Sequence, residues 1–325
     1  MIPLHLVTGF LGAGKTTFLN RLLRDPLLAG TLVVVNEFGA AALDHRLYER
    51  LDGEISLLAS GCLCCTLRGD FVEGLGALLA RRDTGELAFQ RIVVETSGLA
   101  DPGPILHALF ADPTLASRIR LTNVVTLVDA VNGLATLAAH GEARRQVALA
   151  DHIVLTKTDL ADPAPLQAAL GAATDGRDFD AVAFVQDVSR PPTAYAARAV
   201  HGTAEAHVFR ATTPLKAAAL TRFLDLLAAM AGPRLLRVKG LVVTDDAPEQ
   251  PWLVQGAQHA FAPPQRLPAW PDGPQETALV VIGEGIAAPA QRLWDALTGA
   301  IAPDAPDLAA LADNPLTTRS GGLLG

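Results

Sequence analysis

Cysteine is nearly absent from this chain: 325 residues contain three, all inside the tetrapeptide Cys62-Leu63-Cys64-Cys65. So few thiols, so closely bunched, cannot build a disulfide framework, which leaves metal ligation or thiol reactivity as their chemistry. Positive charge is also short. The formal net charge is −8, which argues against nucleic acid or an anionic membrane as a main partner. No apolar run reaches the length of about 18 residues that a membrane-spanning helix needs. No internal repeat is visible. The first strand-like residues begin by about Pro3, which leaves no space for a signal or transit segment, so a cytoplasmic location is expected. Lysine is scarce too, with 4 against 22 arginines, and two of the four, Lys15 and Lys157, fall in motifs discussed below. Arginine serves wherever a positive charge suffices, so a retained lysine marks a place that needs a compact point charge.

What is present is apolar and patterned. Half of the residues are hydrophobic and 18% are charged, the balance of a globular protein long enough for two domains. The organising stretch is Leu4 to Asn20, LHLVTGFLGAGKTTFLN. It reads as an apolar strand, a glycine-rich loop and the start of a helix. Gly9, Gly14, Lys15 and Thr16 fill the pattern G-x-x-x-x-G-K-[ST]. Glycines allow the backbone to curl so that successive N–H groups line one concave nest suited to phosphate oxygens. The helix that follows adds its positive end to the same place. Gly12, Ala13 and Thr17 complete the predicted cradle. Lys15 is placed for the β- and γ-phosphates, and Thr16 for Mg²⁺.

Further along, apolar strands alternate with helices: Leu32–Val35, Ile55–Leu58, Ile92–Val94, Val124–Val128, Ile153–Leu155 and a last strand near Val182–Val185. That alternation predicts an α/β, doubly wound and mostly parallel sheet. In such sheets functional loops gather at the carboxyl ends of the strands. Each motif found here follows a strand and should converge there. Glu95 closes the Ile92 strand, where a carboxylate would hold Mg²⁺ beside Thr16. Gly98 should lie near the γ-phosphate. Thr156-Lys157-Thr158-Asp159 follows the Ile153 strand. The Asp159 carboxylate matches the N1–H and 2-amino group of guanine, whereas adenine would leave it unpaired. Lys157 would lie along the base. Either acid could instead be a solvated or helix-capping residue.

Three thiolates in C-x-C-C suit a soft or borderline divalent ion, Zn²⁺ above all. Tetrahedral Zn²⁺ needs a fourth ligand, for which Glu37 in Asn36-Glu37-Phe38-Gly39 is preferred and His45, His107 and His152 are weaker alternatives. Buried, inert cysteines or a reactive redox thiol are the competing readings. Beyond a Pro- and Ala-rich stretch near Ser189–Thr203, a second unit reads as strand, amphipathic helix, three more strands and a helix. It carries His259, more often structural than functional in such a setting.

Taken together, GFLGAGKTT, NEFG, GCLCC, ETSGLADP and TKTD resemble a CobW-type P-loop GTPase, of the metallochaperone family related to the nickel-insertion GTPases of hydrogenase and urease assembly. The LLRVKGLV and VQGAQHAF stretches resemble that family's carboxy-terminal domain. The resemblance implies a P-loop GTPase domain over 1–190, a linker over 191–204, an α+β domain over 205–302 and a tail over 303–325. It implies GTP hydrolysis, slow without a partner or metal, tied to delivery of Zn²⁺ or Co²⁺ to a metal-requiring client protein. Lys15, Thr16 and Glu95 match its phosphate, Mg²⁺ and Walker-B positions. Cys62, Cys64, Cys65 and Glu37 match its metal motif, and Lys157 with Asp159 its base motif. Two departures stand out: Thr156 where many members carry asparagine, and Ala40 where an acid is common. There is no histidine-rich loop to suggest bulk metal storage. An ATP-dependent small-metabolite kinase and a thiol-based zinc or redox sensor are the rival readings, and a homodimer is left open.

Overall fold

Continuous apolar runs such as Leu32–Val35 and Ile92–Val94 need cover on both faces, and that requirement shapes the first half of the chain. In the computed structural model the described residues are 1–37, 55–59, 66–171, 174–185, 204–271 and 275–299. In chain order the first half contains β1 (Ile2–Gly9), α1 (Lys15–Leu22), β2 (Thr31–Glu37), β3 (Ile55–Ala59), α2 (Thr66–Asp83), β4 (Arg91–Thr96), α3 (Gly103–Ala111), α4 (Pro113–Arg118), β5 (Ile119–Asp129), α5 (Gly133–Ala139), α6 (Gly141–Ala148), β6 (His152–Thr156), α7 (Ala164–Leu170), β7 (Thr174–Asp175) and α8 (Ala181–Val185). The seven strands pair in the order β3-β2-β4-β1-β5-β6-β7. Every pairing is parallel.

The strand expected near Val182–Val185 is the helix α8 instead. A short apolar run does not distinguish strand from buried helix, and local capping decides here. The Asp180 carboxylate accepts the Ala183 N–H at 2.8 Å, and Phe184 stacks on His5 while meeting Phe18 edge-on. The last strand is the two-residue β7. The helical stretch between β5 and β6 is divided into α5 and α6 at His140, whose backbone is extended. The sheet is parallel throughout its described strands, more uniformly than the mostly parallel arrangement expected.

The second half contains β8 (Ala204–Ala211), α9 (Ala217–Ala231), β9 (Leu235–Val242), β10 (Trp252–Ala257), β11 (Ala260–Phe261), β12 (Gln265–Arg266), β13 (Thr277–Glu284) and α10 (Ala287–Thr298). Its antiparallel sheet runs β11-β10-β9-β13-β8, with β12 paired to β10. The helices α9 and α10 cover one face around Phe209, Phe223, Leu227 and Trp294. The other face packs against the first half. Leu236, Ala257, Val280 and Ile282 join Leu106, Leu109, Leu121 and Leu149 in one continuous core. Each such leucine withdrawn fully from water contributes roughly 1.5–3 kcal/mol. Most of the expected linker and all of the expected tail lie outside the described residues. No helix among the described residues is long and apolar enough to cross a membrane.

Candidate nucleotide and metal site

The register of the parallel sheet brings the predicted motifs to one edge. Val7 lies opposite Glu95, Gly9 opposite Leu127, and Asp129 opposite Thr156. Because β1 is flanked by β4 on one side and β5 on the other, the loop after β1 sits at the point where strand order reverses, the crevice where such folds bind ligands.

The loop itself depends on backbone shapes open to glycine. Gly9 has φ 145° and is pressed against β5, where a Cβ would come 2.5 Å from the Leu127 carbonyl oxygen. Gly14, at φ 84°, is the left-handed cap from which α1 starts. A Cβ-bearing residue at either position would force the loop outward. Lys15 is nearly buried, and its ammonium donates to the Gly9 carbonyl at 2.9 Å and the Phe10 carbonyl at 3.4 Å. It therefore lies along the inner side of the loop.

Thr16 and Glu95, from different elements, meet directly: the hydroxyl donates to Glu95 Oε1 at 3.3 Å. A hydroxyl and a carboxylate side by side make an all-oxygen donor pair of the kind Mg²⁺ takes, while leaving places for water and phosphate. The strand carrying Glu95 is held to β1 by a buried bond from Thr96 Oγ1 to Thr8 Oγ1 at 2.7 Å. Gly98 lies hard against the loop, since a Cβ there would come 2.7 Å from the Leu11 nitrogen. Ala13 is buried, whereas Gly12 and Thr17 are exposed.

On the other side of β1, the end of β6 is tied to the phosphate loop. The Thr156 hydroxyl donates to the Ala13 carbonyl at 2.8 Å. Lys157 adopts the left-handed conformation, φ 57°, rare for a residue with a side chain. Its ammonium lies 3.5 Å from Asp129 Oδ2. The Asp129 carboxylate also accepts the Asn132 N–H at 2.6 Å. Asp159 is exposed. Thr158 Oγ1 donates to Asp175 at 3.2 Å. The Arg177 guanidinium, hydrogen-bonded to Asp175, pulls that carboxyl down to about 2, so it stays an acceptor at any physiological pH.

The expected metal motif is described only at its margins. Cys62, Cys64, Cys65, His45 and Ala40 lie outside the described residues, as does the Glu37 side chain. The backbone of Glu37 closes β2 and pairs with Ala59, the last residue of β3 and three positions before Cys62 in the chain. Among the weaker ligand candidates, His152 opens β6 at its amino end, away from the motif edge, and packs edge-on against Phe179. His107 is engaged with His259, their Nε2 atoms 2.9 Å apart across the boundary between the two halves. That contact gives His259 a partner where the sequence suggested a lone histidine.

Two residues of this edge were not singled out from the sequence. Asp129 ends an apolar strand just as Glu95 does, a signal that was available. Gln146, buried in α6, donates to the carbonyls of Gly98 and Ala100, and no motif announces it.

Comparison with known proteins agrees with this geometry. Residues 3–178 match the family described as CobW/HypB/UreG, nucleotide-binding domain. Residues 204–301 match the cobalamin synthesis protein cobW C-terminal domain. The zinc chaperone YjiA of Escherichia coli K12 is 31% identical over 316 residues, covering 92% of this chain and 98% of that protein. The zinc chaperone CobW of Pseudomonas aeruginosa is 39% identical over 165 residues, 46% of this chain and 43% of that protein. The crystal structure of Zn(II)-bound YjiA GTPase from E. coli superposes with a TM-score of 0.62 at 28% identity, covering 92% of this chain and 98% of that one.

Proposed function

Because the chain belongs to the CobW/HypB/UreG nucleotide-binding family, we propose that it is a GTP-hydrolysing metallochaperone that binds a divalent metal and passes it to a client protein. Zn²⁺ is the favoured cargo, in keeping with the relatives named zinc chaperones; Co²⁺ is the second candidate.

The observation that carries the reading is the contact of Thr16 with Glu95 at 3.3 Å, beside the buried Lys15. Lys15 turns its ammonium from the Gly9 carbonyl toward the phosphates, and the loop N–H groups take the phosphate oxygens. Thr16 and Glu95 would hold Mg²⁺, which neutralises charge between the β- and γ-phosphates when bound. Asp159 accepts from the guanine edge and Lys157, braced by Asp129, lies along the base. Thr156 keeps the base motif and the phosphate loop in fixed relation. Cys62, Cys64, Cys65 and Glu37 take the cargo metal. Glu37 is the hinge: its strand neighbours the one bearing Glu95, so nucleotide state and metal affinity are coupled. Intrinsic turnover is low, as in GTPases that receive no arginine in trans.

Coupling of this kind is reciprocal, so Zn²⁺ must change GTP affinity by the factor by which GTP changes Zn²⁺ affinity. Titration calorimetry of Zn²⁺ into the chain loaded with GDP or a non-hydrolysable GTP analogue is the test, with Cys64→Ser as the site control. Different Zn²⁺ affinities, lost in the variant, support the reading. Identical affinities in both nucleotide states would falsify it. Competition of ATP against GTP checks the base assignment, because a kinase-like ATP preference is incompatible with the role given to Asp159.

A further inference from the structure

The loop after β4 carries Gly98, set near the third phosphate in the reading above, and it is gripped from behind by a residue outside every motif named so far. Gln146 is almost fully buried. Its side-chain Nε2 donates to two backbone carbonyls of that loop, Gly98 at 3.1 Å and Ala100 at 2.9 Å. Its own backbone carbonyl accepts the Thr126 hydroxyl of β5 at 2.8 Å, which locks α6 to the sheet. The opposite side of Gly98 abuts Leu11 of the phosphate loop so closely that no Cβ fits. Gln146 also lines a small cavity with Phe10, Ala13 and Thr126, so it borders the phosphate loop as well. The Gly98 segment is thus held between the phosphate loop in front and one buried amide behind.

We infer that Gln146 is a positioning residue for GTP: by fixing the Gly98 and Ala100 carbonyls it holds the Gly98 backbone against the phosphate loop, where the third phosphate is felt. The inference rests on the GTPase reading above and goes beyond it, since neither the phosphate-binding motif nor the metal motif contains Gln146. A buried amide donating to two carbonyls cannot be replaced by an apolar group without leaving both carbonyls short of a donor. The loop would then relax away from Leu11. GDP, which lacks the third phosphate, would not register the change.

The test is the ratio of affinities for a non-hydrolysable GTP analogue and for GDP, measured on the full chain as wild type, Gln146→Leu and Gln146→Met. Gln146→Met keeps the length of the side chain, so a fold lost in the branched variant does not end the experiment. The expected result is GDP affinity close to wild type and a roughly tenfold fall in affinity for the GTP analogue, the cost of a lost buried hydrogen bond. GTP turnover should show the same discrimination, with kcat/KM falling at unchanged product inhibition by GDP. Folded variants with an unaltered ratio, or with both nucleotides weakened alike, would show Gln146 to be a packing residue only. A wild-type chain that binds neither guanine nucleotide overturns the GTPase reading and this inference with it. That outcome is distinct from a normal wild type with indifferent variants.

Discussion

The Thr156 hydroxyl ties the turn after β6 to the loop after β1. Many CobW-type chains carry asparagine at this place, and from the sequence alone the shorter side chain reads as a lost hydrogen bond toward the guanine edge. The structure shows where the hydroxyl is used: it donates to the Ala13 carbonyl at 2.8 Å and joins the Thr156–Asp159 turn to the loop after β1. Thr156→Val preserves the shape and removes that donor. Guanine-nucleotide affinity should then fall about three- to tenfold, the net worth of one hydrogen bond, read as the Kd of a fluorescent GDP. An unchanged Kd would mean that water satisfies Ala13 equally well. The same residue scale marks what was legible. Lys15, Thr16 and Glu95 could be named because a strand, a turn and a fixed spacing surround them. Asp129 has the same strand-end position as Glu95 but no neighbouring pattern, and its role as brace for Lys157 emerges only once β5 and β6 are paired.

At the scale of elements, β6 matters at both ends. Its carboxyl end leads into the Lys157–Asp159 turn, while Asp151, just before its amino end, is buried beneath the second sheet. The Asp151 carboxylate accepts from Arg237 Nη2 at 2.7 Å, from Lys239 Nζ at 3.1 Å and from the Val124 N–H at 2.8 Å. Arg237 also donates to the Leu149 carbonyl. Both cations sit on β9 two residues apart, hence on one face. Alternating charge in a strand ordinarily marks a solvent face, so LLRVKGLV gives no hint that this face looks inward at an acid from the other half. Such contacts between elements far apart in sequence have no local signature. Short apolar runs are the other illegible class, as α8 demonstrates. Runs such as Leu32–Val35 and Ile92–Val94, equally short, were readable as strands because each leads into a motif turn, which Val182–Val185 lacks. Asp151→Ala strands two buried cations and should cost about 3–5 kcal/mol, measured by urea unfolding. Arg145, whose ion pair with Asp101 lies at the surface with the arginine side chain 48% exposed, should by the same assay contribute no more than about 1 kcal/mol when changed to glutamine.

For the molecule as a whole, the two sheets share a core, so the buried cations of β9 enter its global stability. Burial in that core pulls Lys239 from its ordinary 10.5 down to about 8, with Asp151 opposing the shift and Arg237 adding to it. The sign follows from proton counting. Between about pH 8 and 10.5 the unfolded chain keeps a proton on this lysine that the folded chain has released. Stability from this group therefore rises with pH through that window, and is lost as pH falls through about 8. Arg237 keeps Asp151 paired at 2.7 Å, so the interface does not open as Lys239 neutralises. With only four lysines in the chain, few other amines obscure the effect. Lys239→Met removes the titration and leaves the Asp151–Arg237 pair. In urea unfolding at intervals from pH 7.5 to about 10.5, wild type should gain stability relative to Lys239→Met as pH rises. Parallel pH profiles for the two proteins would mean that the ammonium in the core is held as firmly as one in water, and that its pairing with Asp151 fully offsets both its burial and the repulsion of Arg237.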